Sequence, residues 1–242
     1  MKTIKDCIEN NSYPGRGILV GMSEAGKAVV GYFISGRSAN SRNRVFETDE
    51  RGDVFTKPFD ESKVEDPSLI IYRAIAHMKD ALIVTNGDQT DTVAAFMERG
   101  DSARDGLMTR EFEPDAPNYT PRISAVLGFV NSGAEREGFG YEMSILKSAD
   151  SEGSACNRFF FDYTALPGKG HLIHTYEGDG NPLPTFCGEP RQLKIRDDID
   201  EMTEEIWNSL DEDNRISLYV EYIDLKTMKS ETRLINKNEK VK

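Results

Sequence analysis

An arginine- and serine-rich segment has the side chains of an anion site. Residues 37 to 44 read RSANSRNR and hold three arginines, two serines and two asparagines. Guanidinium groups offer forked donors that match phosphate or carboxylate oxygens. Serine hydroxyls and loop amides can complete such a site. The same composition is typical of a solvated loop, so the segment by itself leaves both interpretations open.

Two further polar segments lie next to apolar strand candidates. Residues 86 to 92 read NGDQTDT and directly follow the apolar run ALIVT. Strand ends that lead into helices hold side chains rigidly while leaving them accessible. Residues 113 to 122 read EPDAPNYTPR, where Glu113 stands on a proline-restricted loop ahead of Arg122. That carboxylate could act as a general base or a substrate clamp. The alternatives are a turn with a helix cap for the first segment and a surface connection for the second.

Other reactive side chains carry weaker signals. Tyr72 lies in an apolar strand candidate, and its hydroxyl needs a partner if it is buried. His171 and His174 are three apart on a predicted strand, so they face opposite ways, which is poor spacing for a shared metal ion. Three cysteines without CxxC spacing indicate unpaired thiols in a reducing compartment. The sequence therefore predicts no metal site.

The composition excludes several classes of protein. The chain has 242 residues and a net charge of −12, so it lacks the basic face that nucleic-acid binding requires. A small phosphorylated ligand needs only a few local cations. No apolar run reaches the ~18 residues of a membrane span, and the N-terminus lacks the apolar stretch of a signal peptide. We therefore expect a cytoplasmic protein with neither a nucleic-acid nor a membrane partner.

The elements that must position these segments are mostly strands. Apolar runs predict strands over 16–22, 28–35, 69–75, 81–85, 122–131, 139–147, 157–163, 170–176, 215–224 and 230–235, with one short strand within 47–68. Helices are predicted over 92–99 (with Asp91 as N-cap), 101–109 and 197–210. This order is an α+β pattern with largely antiparallel sheets rather than an alternating βαβ arrangement.

The polar segments, taken in order, also resemble a known family. The motifs that carry the resemblance are Gly17-Ile18-Leu19, Arg37-Ser38 with Arg42, Tyr72, Thr85-Asn86-Gly87 with Thr90-Asp91-Thr92, Glu113 with Asp115 and Asn118, and Thr120-Pro121-Arg122-Ile123. The ordered set N-G-x-x-T-D-T followed by T-P-R-I is the specific part. On these residues the chain resembles the archaeal-type inosine monophosphate (IMP) cyclohydrolase family, well over about 16–130 and more weakly to about 190.

The resemblance implies a four-layer αββα fold like that of N-terminal-nucleophile hydrolases, without their self-processing. We expect a single domain over 1–242, with its core at about 13–190 and a helix and hairpin extension at about 191–242. The implied reaction closes 5-formamidoimidazole-4-carboxamide ribonucleotide (FAICAR) to IMP with loss of water, the last step of purine synthesis. The expected partner is this purine nucleotide, without a metal or organic cofactor. Whether the chain forms a homo-oligomer is left open.

The resemblance also suggests which residues act on the reacting atoms. The reaction needs a donor for the developing oxyanion, a group that moves protons and a clamp for the ribose phosphate. We expect Arg42 and Tyr72 at the formyl oxygen. Glu113 is expected to handle protons or to orient the amide.

The remaining candidates would bind the rest of the nucleotide. Asn86 and Asp88 are expected to hold the base or the ribose. The phosphate candidates are Arg37, Ser38 and Arg122.

Two other functions remain open on the sequence. One is a purine-nucleotide-binding protein without turnover, which an extra residue within 117–119 would favour if it displaces the loop of Glu113. The other is a related cyclic-amidine or amide hydrolase that acts on a different phosphorylated substrate. A shared fold and ligand site can be retained while the reaction changes.

Overall fold

The computed structural model describes residues 1–64, 70–129 and 138–238. In chain order the strands are β1 (Arg16–Met22), β2 (Ala28–Ser35), β3 (Val45–Thr48), β4 (Val54–Lys57), β5 (Tyr72–His77), β6 (Ala81–Thr85), β7 (Arg122–Phe129), β8 (Phe139–Ser148), β9 (Cys156–Thr164), β10 (Lys169–His174), β11 (Arg191–Lys194), β12 (Arg215–Ile223) and β13 (Ser230–Asn236). The helices are α1 (Ile4–Ile8), α2 (Ala39–Arg42), α3 (Gln89–Glu98), α4 (Ala103–Met108) and α5 (Ile199–Ser209).

The strands form two antiparallel sheets. One has six strands in the order β11-β10-β1-β2-β12-β13, and the other has seven in the order β3-β4-β5-β6-β7-β8-β9. In the second sheet the pairs β3–β4, β5–β6 and β8–β9 are joined by short hairpin connections, which antiparallel pairing allows. The helix α5 and the hairpin β12–β13, an extension in the sequence prediction, supply two strands of the first sheet and part of its cover.

Side chains along each strand point alternately to the two faces of its sheet. On β1, Ile18 and Val20 enter the core between the sheets, whereas Leu19 faces outward. Successive side chains of a strand point to opposite faces, so a strand buried on both sides reads as a continuous apolar run. This explains why the runs at β1 and β2 contain no regular polar position.

Helices cover the outer side of each sheet. Helices α1 and α5 pack on the six-stranded sheet, and α3 and α4 pack on the seven-stranded sheet. The result is four layers, α-β-β-α, which confirms the predicted α+β class with antiparallel sheets. The similarity to N-terminal-nucleophile hydrolases stays a prediction. No helix in the described parts of the chain is both long and apolar enough to span a membrane.

Several element boundaries differ from the sequence prediction. Helix α3 begins at Gln89, so Asp88 and not Asp91 occupies its N-cap position, and the Asp88 side chain makes no cap hydrogen bond. Strand β5 begins at Tyr72 rather than at residue 69. The elements α1, α2, β3 and β11 were not predicted, because four or five residues carry too little periodicity. The predicted positions 65–69 and 130–131 lie outside the described residues.

Candidate active site

The starts of three strands bring charged and phenolic side chains to one end of the sandwich. Arg16 begins β1, Tyr72 begins β5 and Arg122 begins β7. Glu113 lies on the loop before β7, where its backbone N–H donates to the carbonyl of Thr120 at 2.9 Å. Both sheets therefore contribute to a single cluster.

Arginines surround one carboxylate in this cluster. Nη2 of Arg16 lies 3.9 Å from Oε2 of Glu113, and Arg44 and Arg122 also act on that carboxylate electrostatically. Each of these four residues keeps only 4% to 7% of its surface exposed. Three arginines therefore act on this carboxylate, and Arg122 also pairs with Asp88. Guanidinium groups match carboxylate and phosphate oxygens, so the cluster is suited to an anionic ligand.

Burial and charge set the protonation of these groups. Burial raises the pKa of Glu113, and Arg16, Arg122 and Arg44 offset only part of that effect. Burial, reinforced by Arg16, lowers the pKa of the Arg44 guanidinium. Burial opposes the charge of Arg16, but Glu113 and neighbouring phenols leave its pKa well above the ordinary value. A carboxyl with a raised pKa can exchange a proton nearer to neutral pH.

Two phenols meet beside the arginines. The hydroxyl oxygens of Tyr32 and Tyr72 lie 2.8 Å apart, and both residues are buried. Burial raises the pKa of Tyr32, so Tyr32 stays a neutral phenol. Tyr72 acts electrostatically on both Arg16 and Arg44. The pair therefore places an oriented hydroxyl group next to the cationic cluster.

A second set of hydroxyls borders the cluster. The Thr120 hydroxyl contacts the hydroxyl of Tyr176 and also donates to the carboxylate of Asp115. The backbone N–H of Thr120 donates to Asp115 as well, at 2.6 Å. Tyr176 acts electrostatically on Arg16 and Glu113. These contacts fix the loop that carries Glu113.

Arg122 is held in place by neighbours from the NGDQTDT segment. Its Nη1 donates to Oε1 of Gln89 and to Oδ1 of Asp88, both at 2.7 Å. Asp88 is half exposed and also pairs with Arg110. Gly87 allows the backbone to approach closely, because a Cβ there would lie 2.5 Å from Nη1 of Arg122.

The structure places Asn86 as a link between strand ends. Its Nδ2 donates to the carbonyl of Pro121 at 2.8 Å, and its Oδ1 accepts from the backbone N–H of Ile123 at 2.9 Å. The same oxygen accepts from Nε2 of Gln89 at 3.0 Å. Asn86 is fully buried, so these contacts join the end of β6 to the start of β7.

Arg37 lies at the rim of the cluster. Its guanidinium donates to the carboxylate of Asp179 and to the carbonyl of Gly180. It also lies 5.5 Å from the ring centroid of Tyr13, which in turn stacks on Tyr176. The Arg37 side chain is about one-third exposed, so it lies outside the buried part of the cluster.

The contacts of Ser38 and Arg42 are made outside the buried cluster. Ser38 caps the short helix α2 by accepting from the N–H of Ser41. Nε of Arg42 donates to the carbonyl of Gly36, and Nη2 donates to Oδ1 of Asn214, both at 3.0 Å. It is Arg44, two residues later, that lies with Tyr72 and Glu113.

No role was assigned from the sequence to four members of the cluster, namely Arg16, Tyr32, Arg44 and Tyr176, although Arg44 lies in the predicted anion segment 37–44. One feature of the sequence could have identified the two arginines. Arg16 opens an apolar strand and Arg44 directly precedes one, whereas arginines are rarely buried without a partner. No local pattern distinguished the two tyrosines from ordinary core residues.

The fold and the cluster together define a layered α+β protein with a buried cationic site suited to an anion. Comparison with known proteins identifies the family. The family model described as IMP cyclohydrolase-like protein matches residues 13–228. The chain therefore belongs to the IMP cyclohydrolase-like family, and helix α5 and strand β12 lie inside the matched region.

Individual archaeal relatives carry the same description. The IMP cyclohydrolase of Methanopyrus kandleri is 28% identical over 184 residues, which cover 72% of this chain and 89% of that protein. That of Methanosphaera stadtmanae is 30% identical over 169 residues, covering 68% and 74%. That of Methanococcus maripaludis is 34% identical over 119 residues, covering 48% of this chain and 58% of that protein.

Proposed function

We propose that this chain is an IMP cyclohydrolase that closes FAICAR to IMP with loss of water. The observation that carries the proposal is the buried set of Arg16, Arg44, Glu113 and Arg122 beside the hydroxyl of Tyr72. The substrate is an anion that reacts through an oxyanion and a proton transfer. The names of the archaeal relatives support the same reaction.

The chemistry of ring closure sets three requirements. The carboxamide nitrogen attacks the formyl carbon and loses a proton as the new C–N bond forms. The formyl oxygen becomes an oxyanion, takes up protons and leaves as water. The site must therefore stabilise the oxyanion, exchange protons and hold the ribose phosphate at a distance from the reacting atoms.

Tyr72 and Arg44 are proposed as the donors to the formyl oxygen. The hydroxyl of Tyr32, 2.8 Å away, keeps that of Tyr72 oriented. Arg44 is favoured over Arg42 for this role because Arg44 is buried and interacts electrostatically with Tyr72 and Glu113. Donors held in a poorly solvated site stabilise developing charge more strongly than donors in water.

Glu113 is proposed to move the proton. Its burial and raised pKa suit a group that accepts a proton from the attacking amide and returns it to the leaving oxygen. Arg16, 3.9 Å away, keeps the carboxylate in position when it is ionised. The contacts of Thr120 hold the supporting loop.

Arg122 and Arg37 are proposed to bind the ribose phosphate, with Ser38 as a further candidate at the rim. Asp88 steadies Arg122, and its half-exposed carboxylate is suited to accept from a ribose hydroxyl. Asn86 is proposed to act by holding the ends of β6 and β7 together, since its contacts are made within the protein.

The cytoplasm is the proposed location. The cysteines at positions 7, 156 and 187 are free thiols, which is typical of proteins in a reducing compartment.

A spectrophotometric assay of the purified protein with FAICAR tests the proposal. We expect IMP to form with the wild type and with Glu111→Gln, an exposed carboxylate two residues from the site. We expect Glu113→Gln to lose about 100-fold or more in turnover, because its amide cannot accept the proton. A Glu113→Gln variant as active as Glu111→Gln would remove Glu113 from the mechanism.

A thermal-shift measurement separates the alternatives if no IMP forms. A ligand that binds only the folded state raises the unfolding midpoint by mass action. A shift with IMP but no turnover would indicate a nucleotide-binding protein. Neither turnover nor a shift would indicate a hydrolase for another substrate.

A further inference from the structure

The two sheets end in four edge strands, and edges expose backbone groups that another strand can pair with. The edges of the six-stranded sheet are β11 and β13, and those of the seven-stranded sheet are β3 and β9. Folded proteins protect such edges by shortness, charge, proline or a covering segment. The four edges differ in how far they are protected.

Three of the edges are protected. The side chain of Asn236 bonds both the N–H and the carbonyl of Phe46, at 2.8 and 3.0 Å, and so blocks the four-residue strand β3. The four-residue strand β11 is capped where Lys194 N–H donates to the carbonyl of Lys2 at 2.8 Å. Strand β13 is joined to β3 through the Asn236 side chain, and it also carries the charged side chains of Glu231 and Arg233.

Strand β9 is the longest of the four edges, and it carries charge only at Arg158 and Asp162. It is nine residues long, reads CNRFFFDYT and contains neither lysine nor proline. Phe159 in its middle is 43% exposed, although it is a large apolar side chain. No further strand of the described residues lies beyond β9 in the sheet.

The open edge of β9 presents a defined set of backbone groups. Ala165 N–H donates to the carbonyl of Phe139, and the carbonyl of Ala155 accepts from the N–H of Ala149. The backbone N–H and carbonyl groups of the odd-numbered residues of β9 therefore face β8. Hydrogen-bonding direction alternates along an antiparallel strand. The N–H and carbonyl groups of Arg158, Phe160 and Asp162 therefore face the open edge.

We propose that β9 pairs with β9 of a second copy of this chain, antiparallel and about a twofold axis at Phe160. This register places Arg158 of each copy opposite Asp162 of the other, and all three edge-facing residues form hydrogen-bonded pairs. The twofold axis therefore generates the Arg158–Asp162 pair twice, once on each side of Phe160. An axis at Arg158 or at Asp162 would instead place like charges opposite each other, which destabilises cross-strand pairing.

The two members of the charged pair differ in exposure. The side chain of Asp162 is 74% exposed, although one of its oxygens accepts from Arg104 at 3.0 Å. The Arg158 side chain is 21% exposed, and its guanidinium donates to the carbonyls of Arg110 and Cys156 and lies 3.8 Å from Glu111. Both side chains lie on the same face of the sheet, so pairing would bring Asp162 of the second copy to a guanidinium that these contacts already hold in place.

Aromatic contact supports the same register. Phe159 would lie opposite Phe161 of the second copy on the face toward the inter-sheet core. Beside Phe159 and Phe161 is a cavity of about 250 Å³, lined also by Ile145, Lys147 and Phe186. The second strand would cover Phe159 and this opening, and aromatic cross-strand pairs stabilise antiparallel sheets.

Light scattering coupled to size-exclusion chromatography tests the pairing on the full chain over a range of concentrations. We expect a mass of twice 27.2 kDa that falls toward 27.2 kDa on dilution. Phe159→Lys places a charge on the edge and should raise the dimer dissociation constant about tenfold or more. The matched control is Leu234→Lys, which changes a 38% exposed leucine on β13 and should leave the constant unchanged.

A charge swap tests the register. Arg158→Asp places two carboxylates opposite each other and should weaken the dimer, whereas adding Asp162→Arg restores opposite charges and should recover it. Circular dichroism of each variant verifies that the chain is folded. A wild type that is monomeric at every concentration overturns the proposal, and so does a dimer that Phe159→Lys leaves unchanged. The readout is mass, so it is independent of any turnover.

Discussion

The hydroxyl oxygens of Tyr32 and Tyr72 lie 2.8 Å apart, although the residues belong to different sheets. Tyr32 comes from β2 of the six-stranded sheet and Tyr72 from the start of β5 of the seven-stranded sheet. Arg16 and Glu113 repeat the pattern, since one opens β1 and the other precedes β7. The candidate site therefore exists only when the two sheets are packed together.

Replacing the phenols should separate a reacting group from a positioning group. Tyr72→Phe removes the proposed donor to the formyl oxygen and should lower kcat about 100-fold. Tyr32→Phe removes only the partner that orients Tyr72 and should lower kcat about tenfold with little change in KM. Steady-state kinetics with FAICAR measure both. Equal losses for the two variants would contradict this division of roles.

The pH dependence of kcat/KM should report Glu113. As a base, Glu113 works when it is ionised, so the rate should rise with pH through its pKa. Burial raises that pKa, so the rising limb should lie above the range of an exposed glutamate. Glu113→Gln should lack the limb, whereas Glu111→Gln should keep it. An unchanged limb in Glu113→Gln would assign it to another group.

Two nearby arginines offer a direct comparison. Arg44→Ala removes a buried guanidinium beside Tyr72 and should lower turnover about 100-fold. Arg42→Ala removes contacts to Gly36 and Asn214 and should change turnover only a few-fold. The unfolding midpoints of both variants show whether either one loses turnover because it is less folded. The opposite order of effects would return the role to Arg42.

Gly87 should be intolerant of even a methyl group. A Cβ there would lie 2.5 Å from Nη1 of Arg122 and 2.7 Å from Oε1 of Gln89. Gly87→Ala should therefore displace Arg122 and raise KM for the phosphorylated substrate about tenfold, with a smaller effect on kcat. Gly100→Ala is unsuitable as a control because Gly100 has a positive φ. Gly128→Ala, where a Cβ meets nothing within 4 Å, is suitable.

A partly buried histidine should make stability depend on pH. His77 on β5 contacts Glu221 on β12 at 3.0 Å and Asp53 at 3.3 Å. Burial alone would lower the pKa of His77, but these carboxylates raise it to about 9. The imidazolium therefore stabilises the fold fully below pH 6.5, and that contribution, at most about 3 kcal/mol, is lost as pH rises through 9.

Urea unfolding between pH 6 and pH 9.5 measures this dependence. The free energy of unfolding of the wild type should fall over that interval. His77→Gln keeps a hydrogen-bonding side chain but cannot be protonated, so its stability should be lower at pH 6 and nearly constant across the interval. A wild-type slope that persists in His77→Gln would exclude His77 as its source.

Local sequence was sufficient to predict the longer strands and helices. The runs at β1, β2 and β6 predict those strands with their observed bounds. The spacing of Ile199, Met202, Ile206 and Leu210 predicts the buried face of α5. Periodicity works there because each element has enough residues to show which side is buried. Short elements such as β3 and α2 depend on tertiary contacts and were missed for that reason.

The sequence by itself determined the α+β class, the family and the polar segments that lie near the site. Only the tertiary structure decided which side chains of those segments meet. The short helix α2 turns the chain between Arg42 and Arg44, so one guanidinium is bound at the surface and the other is buried. Arg16 and Glu113 are 97 residues apart in sequence and meet because two sheets pack face to face. Spacing along a chain cannot encode a contact that depends on the packing of separate strands.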